Sequence, residues 1–319
     1  MRNLRIGIDA MGGDYAPDAV VKGVVEAIPL LDEGSQVVLF GDKERIEELL
    51  KAEGYEGERV EIVATTEVIT MHDHPAKAFQ TKADSSIRVG FEHLAAKKID
   101  GFASAGSTGA MMAGAIFTVG VAEGVIRPAI SAAIANIRGG YTLLLDVGLN
   151  VDCKPEVLAQ YALMGSLYAK DLWGLESPKV GLLNIGEEES KGNAASKAAH
   201  QMIAQMEGIN FVGNIEGKDY FTGKADVIVC DGFMGNVLLK MSESLRYIAK
   251  ARQIDDDFLS RLNYEIKGGT PALGVNGVVM VGHGSSTVLA LRNMVKETEL
   301  CIKAGYAEDI RKAFAPQGK

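Results

Sequence analysis

The chain has 319 residues, with 33 Lys plus Arg against 42 Asp plus Glu, a formal net charge of −9. Its 47% hydrophobic content, 24% charged residues and 37 glycines exclude a disordered or collagen-like chain and allow a sizeable core. The acidic balance opposes bulk nucleic-acid binding, and no nucleic-acid partner is expected. Cys153, Cys230 and Cys301 lack C-x-x-C spacing and suit buried apolar positions in a reducing cytoplasm. The leading segment, residues 1–9, has no apolar stretch or cleavage site of a secretory signal. No run approaches the roughly 18 apolar residues of a membrane span.

In chain order, short β-branched or apolar runs fall at 4–9, 36–40, 59–64, 100–104, 130–136, 141–146, 179–184, 226–230 and 278–281. Between them lie Gly-rich loops and longer helical patterns: Pro17 suits a first helical turn, 44–52 is amphipathic, and Pro155 opens a helix to about Trp173. This alternation predicts a doubly wound α/β sheet, and the unbroken apolar run 180–183 predicts a strand covered on both faces. No linker divides the chain, so one α/β domain over 1–319 is expected. Within it, 236–270 reads as a projecting helical hairpin. Leu238, Met241, Leu245 and Ile248 mark one helix, and Phe258, Leu262 and Ile266 a second, with a break around 253–257 and Asp255 as N-cap. Such a hairpin often makes a dimer contact.

Open α/β sheets bind ligands beyond the carboxyl ends of their strands. Six post-strand turns are rich in small and polar residues: DAMGGD (9–14), SAGSTGA (104–110), LDVGLNVDCKP (145–155), NIGEEESKGN (184–193), CDGFMGN (230–236) and GHGSS (282–286). Amides close to a helix N-terminus make an anion pocket, which predicts a phosphate or carboxylate ligand. Any single loop of this kind is more often only a turn or a helix cap. Familiar alternatives lack their patterns. There is no G-x-G-x-x-G, no P-loop and no G-x-S-x-G elbow. Asp42 could mimic a ribose-binding acid, His72 and His74 have no second ligand pair at zinc-like spacing, and Cys153 has no adjacent base. Neither metal nor cofactor is expected.

In order and wording these loops resemble the phosphate acyltransferases of bacterial phospholipid synthesis, over nearly the whole chain. The resemblance implies conversion of acyl-[acyl carrier protein] and inorganic phosphate into acyl phosphate, on a three-layer α/β/α fold similar to phosphotransacetylases and isocitrate-dehydrogenase-like proteins. It also implies a homodimer and a cytoplasmic enzyme able to touch the inner membrane face and to feed a glycerol-phosphate acyltransferase. This chain departs from the family in Ser107, where Asn is usual, in Leu149, in a less basic 78–86 segment, and in a shorter, more acidic hairpin carrying Asp255 to Asp257.

The reaction asks for placement more than for acid–base chemistry, since phosphate is a nucleophile and a thiolate leaves readily. Holding the two reactants together can be worth on the order of 7 kcal/mol, and each fixed oxyanion donor roughly 3 kcal/mol. Lys191, the cation inside a post-strand glycine loop, is the first catalytic candidate, and Asn236, a neutral donor at the start of the hairpin helix, is the second. Phosphate-binding candidates are Gly12, Gly13, Ser107, Thr108, Gly109, Asn150, Gly192, Asn193, Gly235, His283, Ser285 and Ser286. Asp9, Asp146 and Asp231 are assigned to orienting Lys191 or accepting loop N–H groups. An acidic carrier protein needs local cations, and Lys240, Arg246, Lys250 and Arg252 on the hairpin are the candidate docking surface; the alternative is a solvated face over a core stripe. Two rival functions remain open from sequence: a nicotinamide-dependent dehydrogenase on a related fold, and a non-catalytic sensor of acyl carrier protein or a phosphometabolite.

Overall fold

The computed structural model describes residues 3–316; Met1 and Arg2 of the leading segment lie outside them. Its strands are β1 (Arg5–Asp9), β2 (Gln36–Gly41), β3 (Val60–Ala64), β4 (Gly101–Ser104), β5 (Ala129–Ala135), β6 (Tyr141–Leu145), β7 (Lys179–Leu183), β8 (Asn210–Ile215), β9 (Val227–Val229), β10 (Thr270–Leu273) and β11 (Val278–Val281). The α-helices are α1 (Asp18–Ala27), α2 (Lys43–Ala52), α3 (Pro75–Thr81), α4 (Ser86–Ala95), α5 (Thr108–Gly114), α6 (Pro155–Trp173), α7 (Ala194–Ala204), α8 (Gly232–Ala251), α9 (Asp257–Arg261), α10 (Val288–Ala304) and α11 (Tyr306–Phe314).

The chain folds as two compact units. The first holds the residues up to Val121 together with Tyr264–Glu308, and the second holds Ala122–Asn263 with the last helix from Asp309. In the first unit the strand order is β3-β2-β1-β4-β11-β10, parallel except for the β10/β11 pair. Ile6, Ile8, Leu39 and Phe40 are buried in that sheet, and Phe102 meets Phe91 of α4 edge-on at 5.1 Å. In the second unit the order is β5-β6-β9-β7-β8, parallel except for β5/β6. Val180, Leu182, Val227 and Val229 are buried on its central strands, as the absence of alternation in 180–183 required.

The nine expected strands are present within a residue or two, and two more join them. β8 contains Gly213 with φ +85° and is only half-buried along most of its length, which breaks its apolar signal. β10 is four residues with Pro271 inside, so it reads as a loop until its antiparallel pairing with β11 is seen. The strand–helix alternation fails at β5/β6, which are joined by a tight turn closed by Asn136 N–H to Gly140 O at 3.0 Å.

The hairpin also differs from expectation. Its first helix starts four residues earlier than Asn236, at Gly232, and Asp231 is its N-cap, accepting from Met234 N at 2.8 Å. The cap of the second helix is Asp256 rather than Asp255, and that helix is five residues long, followed by a 3-10 turn at Tyr264–Ile266. The small residues Gly232, Gly235, Ser242 and Ala249 are the buried face of α8, while Met241 and Ile248 are more than half exposed. Of the apolar stripe, Met241 and Ile248 therefore face outward, while Leu238 and Leu245 are half-buried.

Candidate functional site

Within the first unit, the turns after β1, β4 and β11 are tied into one cluster. Asp9, at the end of β1, is buried and fully used as an acceptor: Met11 N donates to it at 2.9 Å and Ser104 Oγ at 2.6 Å. Ser104 Oγ in turn accepts from Gly106 N at 2.9 Å, linking DAMGGD to SAGSTGA. GHGSS is attached by Asp14 N–H to Gly284 O and by Gly282 N–H to Ser104 O, both 2.7 Å. Burial pushes the Asp9 carboxyl above the ordinary carboxylate range, and its hydrogen bonds oppose that only in part. Asp9 organises loop amides instead of facing an anion. Ser107 caps α5 by accepting from Ala110 N at 3.4 Å, with Thr108 and Gly109 in the first turn. In GHGSS, His283 Nδ1 lies 2.8 Å from Ser285 Oγ, Tyr264 OH donates to Ser285 O at 3.2 Å, and the Tyr264 and His283 rings are 5.1 Å apart. Ser286 Oγ is buried with no hydrogen-bond partner among the described residues.

Within the second unit, the turns after β6 and β9 come together around Asp146, and the turn after β7 lines a cavity with them. Its carboxylate accepts from Ile130 N (3.0 Å), Leu149 N (3.3 Å) and Asn150 N (2.5 Å). Burial raises its pKa against those bonds. Asn150 donates through Nδ2 to Pro128 O and Tyr161 OH, both 2.8 Å, so its amide is committed to the scaffold. Asn150 O accepts from Gly232 N at 2.7 Å, joining this turn to the start of α8. Asn236 sits one turn inside α8, and its Nδ2 donates to Val147 O at 3.2 Å, leaving a second N–H for a ligand. Gly235 is required by closeness, because a Cβ there would stand 1.9 Å from the Asp146 carbonyl oxygen.

Lys191 lies in the exposed NIGEEESKGN loop, which Asn184 Nδ2 pins by donating to Lys191 O at 3.1 Å. Gly192 has φ +96°, and a Cβ on it would meet Ser196 Oγ at 2.1 Å. Asn193 caps α7, accepting from Ser196 N at 2.8 Å. Beside this loop opens a cavity of about 560 Å³. Its lining combines the polar Asn184, Asn193 and Ser196 and the carboxylates Asp152 and Asp231 with Leu158, Leu182, Leu183 and Leu238 and the thiols of Cys153 and Cys230. Burial pushes the Cys153 thiol up to about 11 and the Cys230 thiol well above its ordinary value, so neither is a thiolate nucleophile.

The remaining sequence candidates have local roles. Asp42 caps α2, accepting from Arg45 N at 3.1 Å. Asp73, between the two histidines, pairs with Lys82 at 2.7 Å, which with two bonds from Thr70 holds its carboxyl down at about 2. Ser85 caps α4. Lys240 lies 3.9 Å from Glu243, and Arg246 and Lys250 occupy successive turns of α8, with Arg252 as its C-cap. Sequence reasoning missed Tyr264, an aromatic residue with no motif around it, and the cavity wall, whose leucines are scattered over β7, α6 and α8.

The fold is the one shared by phosphotransacetylases. A phosphotransacetylase from Streptococcus pyogenes superposes with TM-score 0.66 at 18% identity, covering 96% of this chain and 94% of that one. EutD phosphotransacetylase from Staphylococcus aureus gives 0.63 at 17%, covering 94% of each. Residues 4–256 match the family described as "Fatty acid synthesis protein". A phosphate acyltransferase of Syntrophomonas wolfei is 48% identical over 96% of this chain and 97% of its own length, and one of Dictyoglomus turgidum is 43% identical over 94% of each. The chain belongs to the phosphate acyltransferase family. Among the described residues no helix is long and apolar enough to cross a membrane.

Proposed function

We propose that this chain moves a fatty acyl group from acyl-[acyl carrier protein] to inorganic phosphate, giving the acyl phosphate used in phospholipid synthesis. The observation that carries the reading is 48% identity to a phosphate acyltransferase over 96% of the chain. The two loop clusters support it chemically, since each gathers main-chain amides at helix N-termini where an anion is stabilised. The dehydrogenase alternative is not favoured: Asp42, its one residue, serves as the N-cap of α2.

In the second unit, Lys191 neutralises charge on the attacking phosphate and the free N–H of Asn236 donates to the oxyanion of the tetrahedral intermediate. The phosphate oxygen forms its bond to the acyl carbon, the carbon–sulfur bond breaks, and the carrier thiol leaves as thiolate. Gly192 and Asn193 contribute amides at the head of α7. In the first unit, Gly12, Gly13, Thr108, Gly109, His283 and Ser286 form the second phosphate-binding cluster, with Ser285 orienting His283. Met241 and Ile248, the exposed apolar residues of α8, form the homodimer face, and the cations of the helix receive the carrier protein. Contact with the inner membrane face and hand-over to a glycerol-phosphate acyltransferase belong to the same reading.

Incubating the purified protein with acyl-[acyl carrier protein] and labelled phosphate should yield acyl phosphate and free thiol in equal amounts. Lys191→Ala and Asn236→Ala should each lower turnover by about tenfold or more with the fold intact. An unchanged rate in either would remove that residue from the mechanism.

A further inference from the structure

We infer that the cavity in the second unit is the acyl-chain pocket and that Leu238 and Met234 of α8 set the length of chain accepted. The inference rests on the acyl-transfer reading and deepens it. The cavity lining is mixed. The head of α7 contributes Gly192, Asn193 and Ser196, with Asn184 bonded to the loop that carries Lys191, and the rest is mostly leucines and two protonated thiols. A volume of about 560 Å³ is in the range of small-molecule sites.

The chemistry of the lining selects the occupant. Asp152 and Asp231 also line the cavity, so an anion buried among the leucines would meet carboxylates and find no cation. A nucleotide would need an aromatic partner for its base and cations for its phosphates, and the lining offers neither. An alkyl chain needs only apolar surface, and Leu158 and Leu182, nearly buried, form the deep wall. Two further residues point to a long ligand: Ile185 is 80% exposed and Met234 44% exposed although both line the cavity. Such apolar exposure at a pocket is what an extended chain would cover. The head-to-tail direction follows, with the thioester carbon at the α7 end and the tail against α8 and β7.

The test compares octanoyl and palmitoyl donors in the labelled-phosphate assay, using Leu238→Trp and, because Met234 is more exposed and its replacement disturbs packing less, Met234→Trp. For each folded variant, kcat/KM for palmitoyl should fall roughly tenfold or more beyond any fall for octanoyl, the scale on which apolar pockets discriminate chain length. A thermal midpoint within that of the parent establishes folding, and Met234→Trp decides if Leu238→Trp unfolds. Equal falls for both donors, or none, would overturn the placement while leaving acyl transfer intact. If the unaltered chain makes no acyl phosphate from either donor, the transfer reading itself fails.

Discussion

The hydroxyl of Ser285 lies 2.8 Å from Nδ1 of His283, and the Ser285 amide approaches the same nitrogen at 3.2 Å. A backbone N–H can only donate, so Nδ1 must carry a lone pair and the imidazole proton must sit on Nε2. The Ser285 hydroxyl then donates as well. Tyr264 holds the arrangement from behind, through its bond to Ser285 O and its ring against His283. His283 is exposed, so its Nε2–H is a fixed donor for a ligand.

His283→Ala should therefore raise the KM for phosphate by about fivefold or more, the value of roughly 1 kcal/mol for one lost hydrogen bond. Ser285→Ala should do less, because the amide still fixes the tautomer. Steady-state rates against phosphate concentration separate the two; equal effects would mean that Ser285 contacts the ligand itself.

Asp9 makes stability depend on pH in a direction opposite to most carboxylates. Its folded pKa is raised above the ordinary 3.8, chiefly by burial. Between that value and the folded one the native state holds a proton that the unfolded chain has released, so stability falls as pH rises through the window. Asp9→Asn removes the titration and with it this slope. Urea midpoints taken from about pH 4 upward should show the parent gaining on the variant toward the acid end. Parallel curves would mean that the carboxyl is ionised throughout.

The closeness of α8 to the turn after β6 makes Gly235 a sensitive position. A methyl there overlaps the Asp146 carbonyl oxygen, so helix or turn must shift. Gly235→Ala should cost on the order of 3 kcal/mol, as overpacking does. Because Asn236 is the next residue, turnover should fall with it. Thermal unfolding and the transfer assay check the two effects; a stable, active variant would show that α8 can slide.

What could be read from the sequence was what depends on local chemistry. The nine strands with apolar runs, the helix opened by Pro155 and the post-strand turns are all legible in the sequence. β8 and β10 were hidden because Gly213 and Pro271 interrupt the pattern that pairing with neighbours sustains. Asp9 and Asp146 could be assigned to loop N–H groups, but which donors they take depends on turns brought from distant sequence. What covers the apolar stripe of α8 was not legible for a different reason. A helical repeat of Leu238, Met241, Leu245 and Ile248 shows amphipathicity without saying which neighbour covers it, and small residues can form the inner face.

The same helix carries the charges proposed for carrier docking. Arg246 and Lys250 are one turn apart, and with Lys240 and Arg252 they concentrate positive charge on a chain whose net charge is −9. An acidic carrier is repelled by the whole and attracted by this helix, so the attraction acts mainly on encounter. Arg246→Glu with Lys250→Glu should raise the KM for acyl-[acyl carrier protein] severalfold at low salt and leave kcat nearly unchanged, since neither residue is assigned to the reacting atoms. The difference should shrink as ionic strength passes about 0.15 M, where the screening length is roughly 8 Å. Acyl-coenzyme A, which lacks the protein surface, serves as the control donor. If the double variant loses equally with both donors, α8 acts through the fold and the carrier approaches elsewhere.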